Sequence, residues 1–83
     1  MDPIIGVVKP YLLAEFLPGV PASELTESTP LITGGILDSI ATLKLVAFLE
    51  AQFRIVVQPH ESSIDYLDTL TQIAELVRQK QAG

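Results

Sequence analysis

The stretch Gly34-Gly35-Ile36-Leu37-Asp38-Ser39-Ile40 leads directly into a run that ends at Phe53. From Ile40 to Phe53 there is no glycine or proline. Leu43, Val46, Leu49 (or Ala47) and Phe53 recur at three- and four-residue steps, the repeat of one helical face. Asp38 stands where the N-cap of that helix belongs, because its short carboxylate can accept an amide of the first turn. The β-branched run Ile55-Val56-Val57 discourages further helix, and Pro59 closes the element.

Working outward, Asp2-Pro3 reads as an N-cap followed by proline at the first helical position. Ile4, Val7, Val8, Tyr11, Leu12 and Phe16 follow with helical spacing, up to a stop at Leu17-Pro18-Gly19. Pro10 interrupts this pattern, so the helix either kinks there or begins its regular part there. Pro18 to Leu37 is a connection of about twenty residues, unusually long for a compact domain. Leu25, Leu31, Ile32, Ile36 and Leu37 are expected to pin it to the core. After Pro59 a short helix is expected over Glu61 to Leu67, and a longer one over Leu70 to Gln79. Thr69 and Gln72 fit a capping box, and Arg78 and Lys80 lie in the final turn, where cations suit the helix dipole. The reading is all-α, with three principal helices and one short one around a single core.

Composition sets the outer limits. The chain has 83 residues and a mass of 9.0 kDa. A protein of this size buries roughly 63% of its unfolded surface. It is 48% hydrophobic with mean hydropathy +0.42, outside the range of disordered chains. One domain over residues 1–83 is therefore expected. Ten acidic and five basic residues give a net charge of −5, which repels phosphate backbones and disfavours nucleic acid. With no cysteine there is neither a disulfide framework nor a thiolate zinc site. The most apolar run, Ile36 to Leu49, is broken by polar residues and too short to span a bilayer. Met1-Asp2-Pro3 lacks the basic region of a secretory signal. A cytoplasmic, monomeric, discrete protein is the expectation.

Few residues suggest catalysis. His60, the one histidine, lies in a proline-bounded turn and reads as an exposed loop residue. His60, Glu61, Asp65 and Asp68 match no metal-ligand spacing and read as a solvated acidic face. Gly34-Gly35 is not followed by the Lys-Ser/Thr of a phosphate loop. The sequence offers no catalytic residue set and no metal site, so an enzyme is not expected. Ser39 is the exception in chemical interest. It falls in the first turn of a helix, where unpaired amides and the dipole favour negative charge by about 0.3–1 kcal/mol.

In this context the chain resembles the acyl carrier proteins, with their peptidyl and aminoacyl relatives, over nearly its whole length. The similarity is carried by Glu15-Phe16-Leu17-Pro18-Gly19, Pro30-Leu31, Gly35-Ile36-Leu37-Asp38-Ser39-Ile40 and Leu45-Val46-Ala47-Phe48-Leu49-Glu50. It continues through Phe53-Arg54-Ile55-Val56-Val57 and Leu67-Asp68-Thr69-Leu70-Thr71-Gln72-Ile73-Ala74. The resemblance implies a four-helix bundle with a long, ordered loop between the first two helices. It also implies that Ser39 carries covalent 4′-phosphopantetheine, derived from coenzyme A, on which acyl, aminoacyl or polyketide groups ride as thioesters. Asp38 would cap the helix and assist recognition by the transferase.

The implied partners are a phosphopantetheinyl transferase, an acyl- or aminoacyl-loading ligase or acyltransferase, and synthase or tailoring enzymes. Between Ser39 and Phe53 there are only one acid, Glu50, and one base, Lys44. Fatty-acid carriers are strongly acidic in this helix, so the departure favours a specialised polyketide or nonribosomal-peptide type of pathway. Partner recognition is then expected through Ile40 and Leu45, with Lys44 beside them, although much of the helix's apolar content must fill the core. Ile40 replaces the commoner leucine, and Pro10 is unusual in a first helix. The alternative is a small helical interaction module that is never modified, since caps and packing explain every feature outside the Ser39 motif.

Overall fold

The computed structural model describes residues 2–82. Among them all regular structure is helical. There are four α-helices, α1 (Pro3–Phe16), α2 (Ser39–Phe53), α3 (Ile64–Leu67) and α4 (Leu70–Ala82), and single 3-10 turns at Ala22–Glu24 and Pro59–Glu61. Three of the helices are long and α3 is a single turn. No helix among the described residues is long and apolar enough to cross a membrane.

The caps form locally from the residues that announce them. Asp2 accepts the Ile4 amide at 2.9 Å, Asp38 the Ala41 amide at 2.7 Å, and Thr69 the Gln72 amide at 3.1 Å. Gln72 answers by accepting the Thr69 amide at 3.0 Å, completing the capping box. α1 passes through Pro10 without a break, contrary to a start there. The carbonyl that Pro10 leaves unpaired belongs to Gly6, an exposed residue, so water can satisfy it. α2 ends on Arg54, a non-glycine residue in the left-handed region at φ 56°.

Two expectations are corrected. The helix placed over Glu61 to Leu67 divides into the 3-10 turn Pro59–Glu61 and α3, because Glu61 turns back to accept the Gln58 amide at 2.8 Å and the Lys80 ammonium at 2.6 Å. α4 runs to Ala82, three residues past Gln79, so that Lys80 stands in the final turn as expected but Arg78 does not; both make tertiary ion pairs, Lys80 with Glu61 and Arg78 with Asp2.

The core is built from Ile4, Ile5, Val8 and Leu12 of α1, Ala41, Leu45 and Leu49 of α2, and Leu70, Ile73, Ala74, Leu76 and Val77 of α4. Tyr11 joins α1 to α2. Its ring stacks on Phe48 at 3.8 Å between centroids, and its hydroxyl donates to the Lys44 carbonyl at 3.2 Å. Burial, with help from the charge on Glu15, pushes the Tyr11 phenol up.

The long connection between α1 and α2 is held down as expected. Leu25, Leu31 and Leu37 are buried, while Ile32 and Ile36 pack partly against them. Polar ties to the end of α3 and the start of α4 reinforce this. The Leu31 amide donates to the Asp68 carbonyl at 2.6 Å, and the Thr71 amide to the Glu27 carbonyl at 3.2 Å. The loop thus delivers Asp38 and Ser39 to the head of α2 from a fixed direction.

Candidate functional site

Ser39 is the first residue of α2 and is exposed. The four leading amides of a helix have no partner within it. Here Asp38 takes the third helical amide, that of Ala41, which leaves those of Ser39 and Ile40 available beside the serine hydroxyl. The Asp38 carbonyl also accepts the Thr42 hydroxyl at 2.8 Å, and Thr42 is buried. Both ends of Asp38 therefore hold the first turn rigid beneath Ser39.

An open groove of about 650 Å³ has Ser39 in its lining. One wall is the end of the loop, Ile32 and Leu37. The floor is Asp38, Thr42 and Leu43 of the α2 head, and the far wall is Ser62, Ser63 and Ile64. Its lining is mainly aliphatic and hydroxylic. Asp38 is its only charged residue, and that carboxylate is engaged with Ala41.

The structure separates the recognition candidates. Ile40 is 67% exposed, next to Ser39, so it is available to a partner. Leu45 is wholly buried and cannot be a contact residue, which corrects that expectation. Leu43, read with Val46, Leu49 and Phe53 as one helical face, is 66% exposed, whereas Leu49 is wholly buried. At 3.6 residues per turn Leu43 lies about 160° round the helix from Leu45, and Ala41, Leu45 and Leu49 define the inward stripe. Leu43 and Ile40 therefore share the outer face. Lys44 lies on the flank toward α1, where its ammonium is 3.8 Å from Glu15.

The remaining acidic residues do not converge with the histidine. Glu61 is engaged with Lys80 and Gln58, Asp68 with the loop, and His60 is exposed with its ring edge toward Tyr66 at 6.0 Å. Lys80 and the Gln58 amide hold the Glu61 carboxyl below the usual range, and the Thr33 amide does the same for Asp68. Among the described residues no group of three or more such side chains could hold a metal ion.

Sequence reasoning placed Ser39 and Asp38 at the head of α2 but missed the far wall of the groove, Ser62-Ser63-Ile64. The pair of serines before an isoleucine was an available sign that a helix starts at Ile64 and not at Glu61. Asp68 was missed as well, because its partners are 35 and 36 positions away. Compared with known proteins, the chain matches no family model, no curated protein and no solved structure.

Proposed function

We propose that this chain is a carrier protein of the acyl, peptidyl and aminoacyl kind, a four-helix bundle in which Ser39 is the attachment point for 4′-phosphopantetheine. The observation that carries the reading is the exposed Ser39, one residue after a side-chain cap and in the lining of an open groove. The residues present fit such a group. The unpaired amides of Ser39 and Ile40 suit a phosphodiester, and the groove, aliphatic and hydroxylic apart from the capping Asp38, offers a bed for a flexible arm. When bound, the group supplies a thiol on which cargo is held as a thioester, a function the cysteine-free chain lacks.

The chain's own part is to present and be recognised. Asp38 and Thr42 fix the first turn, so that the exposed Ser39 stands on a rigid base. Ile40, Leu43 and Ile64 give an apolar surface around it to a partner enzyme, and Lys44 borders that surface from the α1 side. The one acid of α2, Glu50, is turned to the Val57 amide at 2.9 Å. The outer face of α2 is therefore not acidic, which supports a dedicated carrier of a polyketide or nonribosomal-peptide type over one of fatty-acid synthesis. In this reading the protein is a monomer, is not itself an enzyme, and works with a phosphopantetheinyl transferase, a loading ligase or acyltransferase, and downstream synthase or tailoring enzymes.

The test is incubation with coenzyme A and a promiscuous transferase, followed by intact-mass measurement. A gain of one phosphopantetheine that vanishes in Ser39→Ala is expected. A folded wild-type chain that gains nothing would instead be an unmodified interaction module, for which the exposed apolar residues Ile40, Leu43, Val56 and Ile64 would be the contact surface.

A further inference from the structure

The two walls of the Ser39 groove come from distant parts of the chain. Ile32 and Leu37 belong to the loop, whereas Ser62, Ser63 and Ile64 lead into α3. Asp68, the residue directly after α3, reaches across from the second wall to the first. Its carbonyl accepts the Leu31 amide at 2.6 Å. Its Oδ1 accepts the amides of Ile32 at 2.8 Å and Thr33 at 2.9 Å, and its Oδ2 accepts the Thr33 hydroxyl at 2.9 Å.

A second link carries this restraint to the site. The Leu31 carbonyl accepts the Leu37 amide at 2.8 Å, and Leu37 directly precedes Asp38 and Ser39. The backbone between the two links has little slack. A Cβ at Gly34 would clash with the Pro30 carbonyl oxygen, and Gly35 is in the left-handed region at φ 84°. Residues 31–37 thus form a closed turn, fixed to Asp68 at one end and to the head of α2 at the other. The bonds to the Asp68 carboxylate are charge-assisted, the stronger class of hydrogen bond.

We propose that the Asp68 carboxylate is a latch that sets the spacing between the two walls of the Ser39 groove, which makes Asp68 a positioning residue for chemistry at Ser39. The kinetic consequence rests on the carrier reading, whereas the structural one does not. With the latch open, the loop wall moves independently of α3 and only a fraction of molecules present Ser39 in the acceptor geometry. The apparent affinity of a modifying enzyme falls by that fraction.

The experiment uses the full chain, uniformly 15N-labelled, as wild type, Asp68→Ala, Asp68→Asn and Thr33→Val. In Asp68→Ala, amide exchange at Ile32 and Thr33 should accelerate roughly tenfold or more, as befits loss of a charge-assisted acceptor. The amide resonances of Leu37, Asp38 and Ser39 should shift and broaden, while those of α1 stay in place. Asp68→Asn keeps an oxygen for both amides and should restore most of the wild-type behaviour. Thr33→Val removes only the hydroxyl link and should give a smaller change of the same kind, and it decides the matter if Asp68→Ala does not fold. In transfer of phosphopantetheine from coenzyme A, Asp68→Ala should raise KM for the carrier several-fold with kcat retained, and Asp68→Asn should reverse this. Faster exchange at Ile32 and Thr33 without change at residues 37–39 would reduce Asp68 to a local loop pin and overturn the proposal, as would an unchanged KM in a variant showing both effects. A wild-type chain that accepts no phosphopantetheine would sink the carrier reading alone, and the amide measurements would still decide the latch.

Discussion

Asp68 and Thr33 are joined twice: the carboxylate accepts the Thr33 amide on one oxygen and the Thr33 hydroxyl on the other, each at 2.9 Å. An exposed stretch of loop is thereby tied to the junction of α3 and α4, and the seven residues before Ser39 take their course from that tie. Thr33 itself is exposed, so its polar contact and the buried Leu31 and Leu37 on either side share the task.

Acid should loosen this arrangement. Asp68, Glu61 and Asp2 all have carboxyls held below their ordinary range, by the Thr33 amide, by Lys80 and by Arg78 respectively. A carboxylate whose folded value is depressed contributes stability that is fully present above its unfolded value and is lost as pH falls through the folded one. The urea midpoint should accordingly be flat near neutrality and decline below the ordinary carboxylate range. Asp68→Asn and Glu61→Gln should each make that decline shallower, and an undiminished slope in both would show that these carboxylates do not govern it.

Removing the cap of α2 should cost about 1 kcal/mol, the usual worth of a side-chain N-cap. In Asp38→Ala the Ala41 amide loses its 2.7 Å partner and the turn beneath Ser39 frays. Urea unfolding measures the stability loss. Phosphopantetheine transfer measured on the same variant should be slower than on wild type.

Leu45 and Leu43 should behave as opposites. Leu45→Ala opens a cavity in the core and should cost about 2–5 kcal/mol. Leu43→Ala and Ile40→Ala, on the exposed face, should stay within about 0.5 kcal/mol of wild type. The same two surface variants should weaken complexes with partner enzymes. Because the patch is apolar, those complexes should lose little affinity between low and physiological salt. Denaturation and titration calorimetry together separate the two classes.

Gly34→Ala should be more disruptive than Gly35→Ala. A methyl group at Gly34 meets the Pro30 carbonyl, a backbone atom that cannot step aside without moving the loop. At Gly35 there is open space, and the penalty is the roughly 1–2 kcal/mol of a left-handed L-residue. Thermal unfolding of the pair gives the order directly.

What the sequence determined by itself was whatever depends on neighbours within a turn. Asp2-Pro3, Asp38 and the Thr69–Gln72 pair announced three helix starts, because a capping side chain bonds to an amide only two or three residues away. The same local logic put Ser39 at the head of α2. Tertiary structure decided the rest. Leu43 and Leu45 both satisfy helical spacing within α2, and only packing against α1 and α4 selects which of them turns inward. Asp68 and Glu61 are ordinary acids in the sequence. Their roles follow from the docking of a loop and of the end of α4 against them, contacts whose partners no short-range pattern encodes. The groove at Ser39 belongs to this second class, since its walls meet only when the chain has folded back on itself.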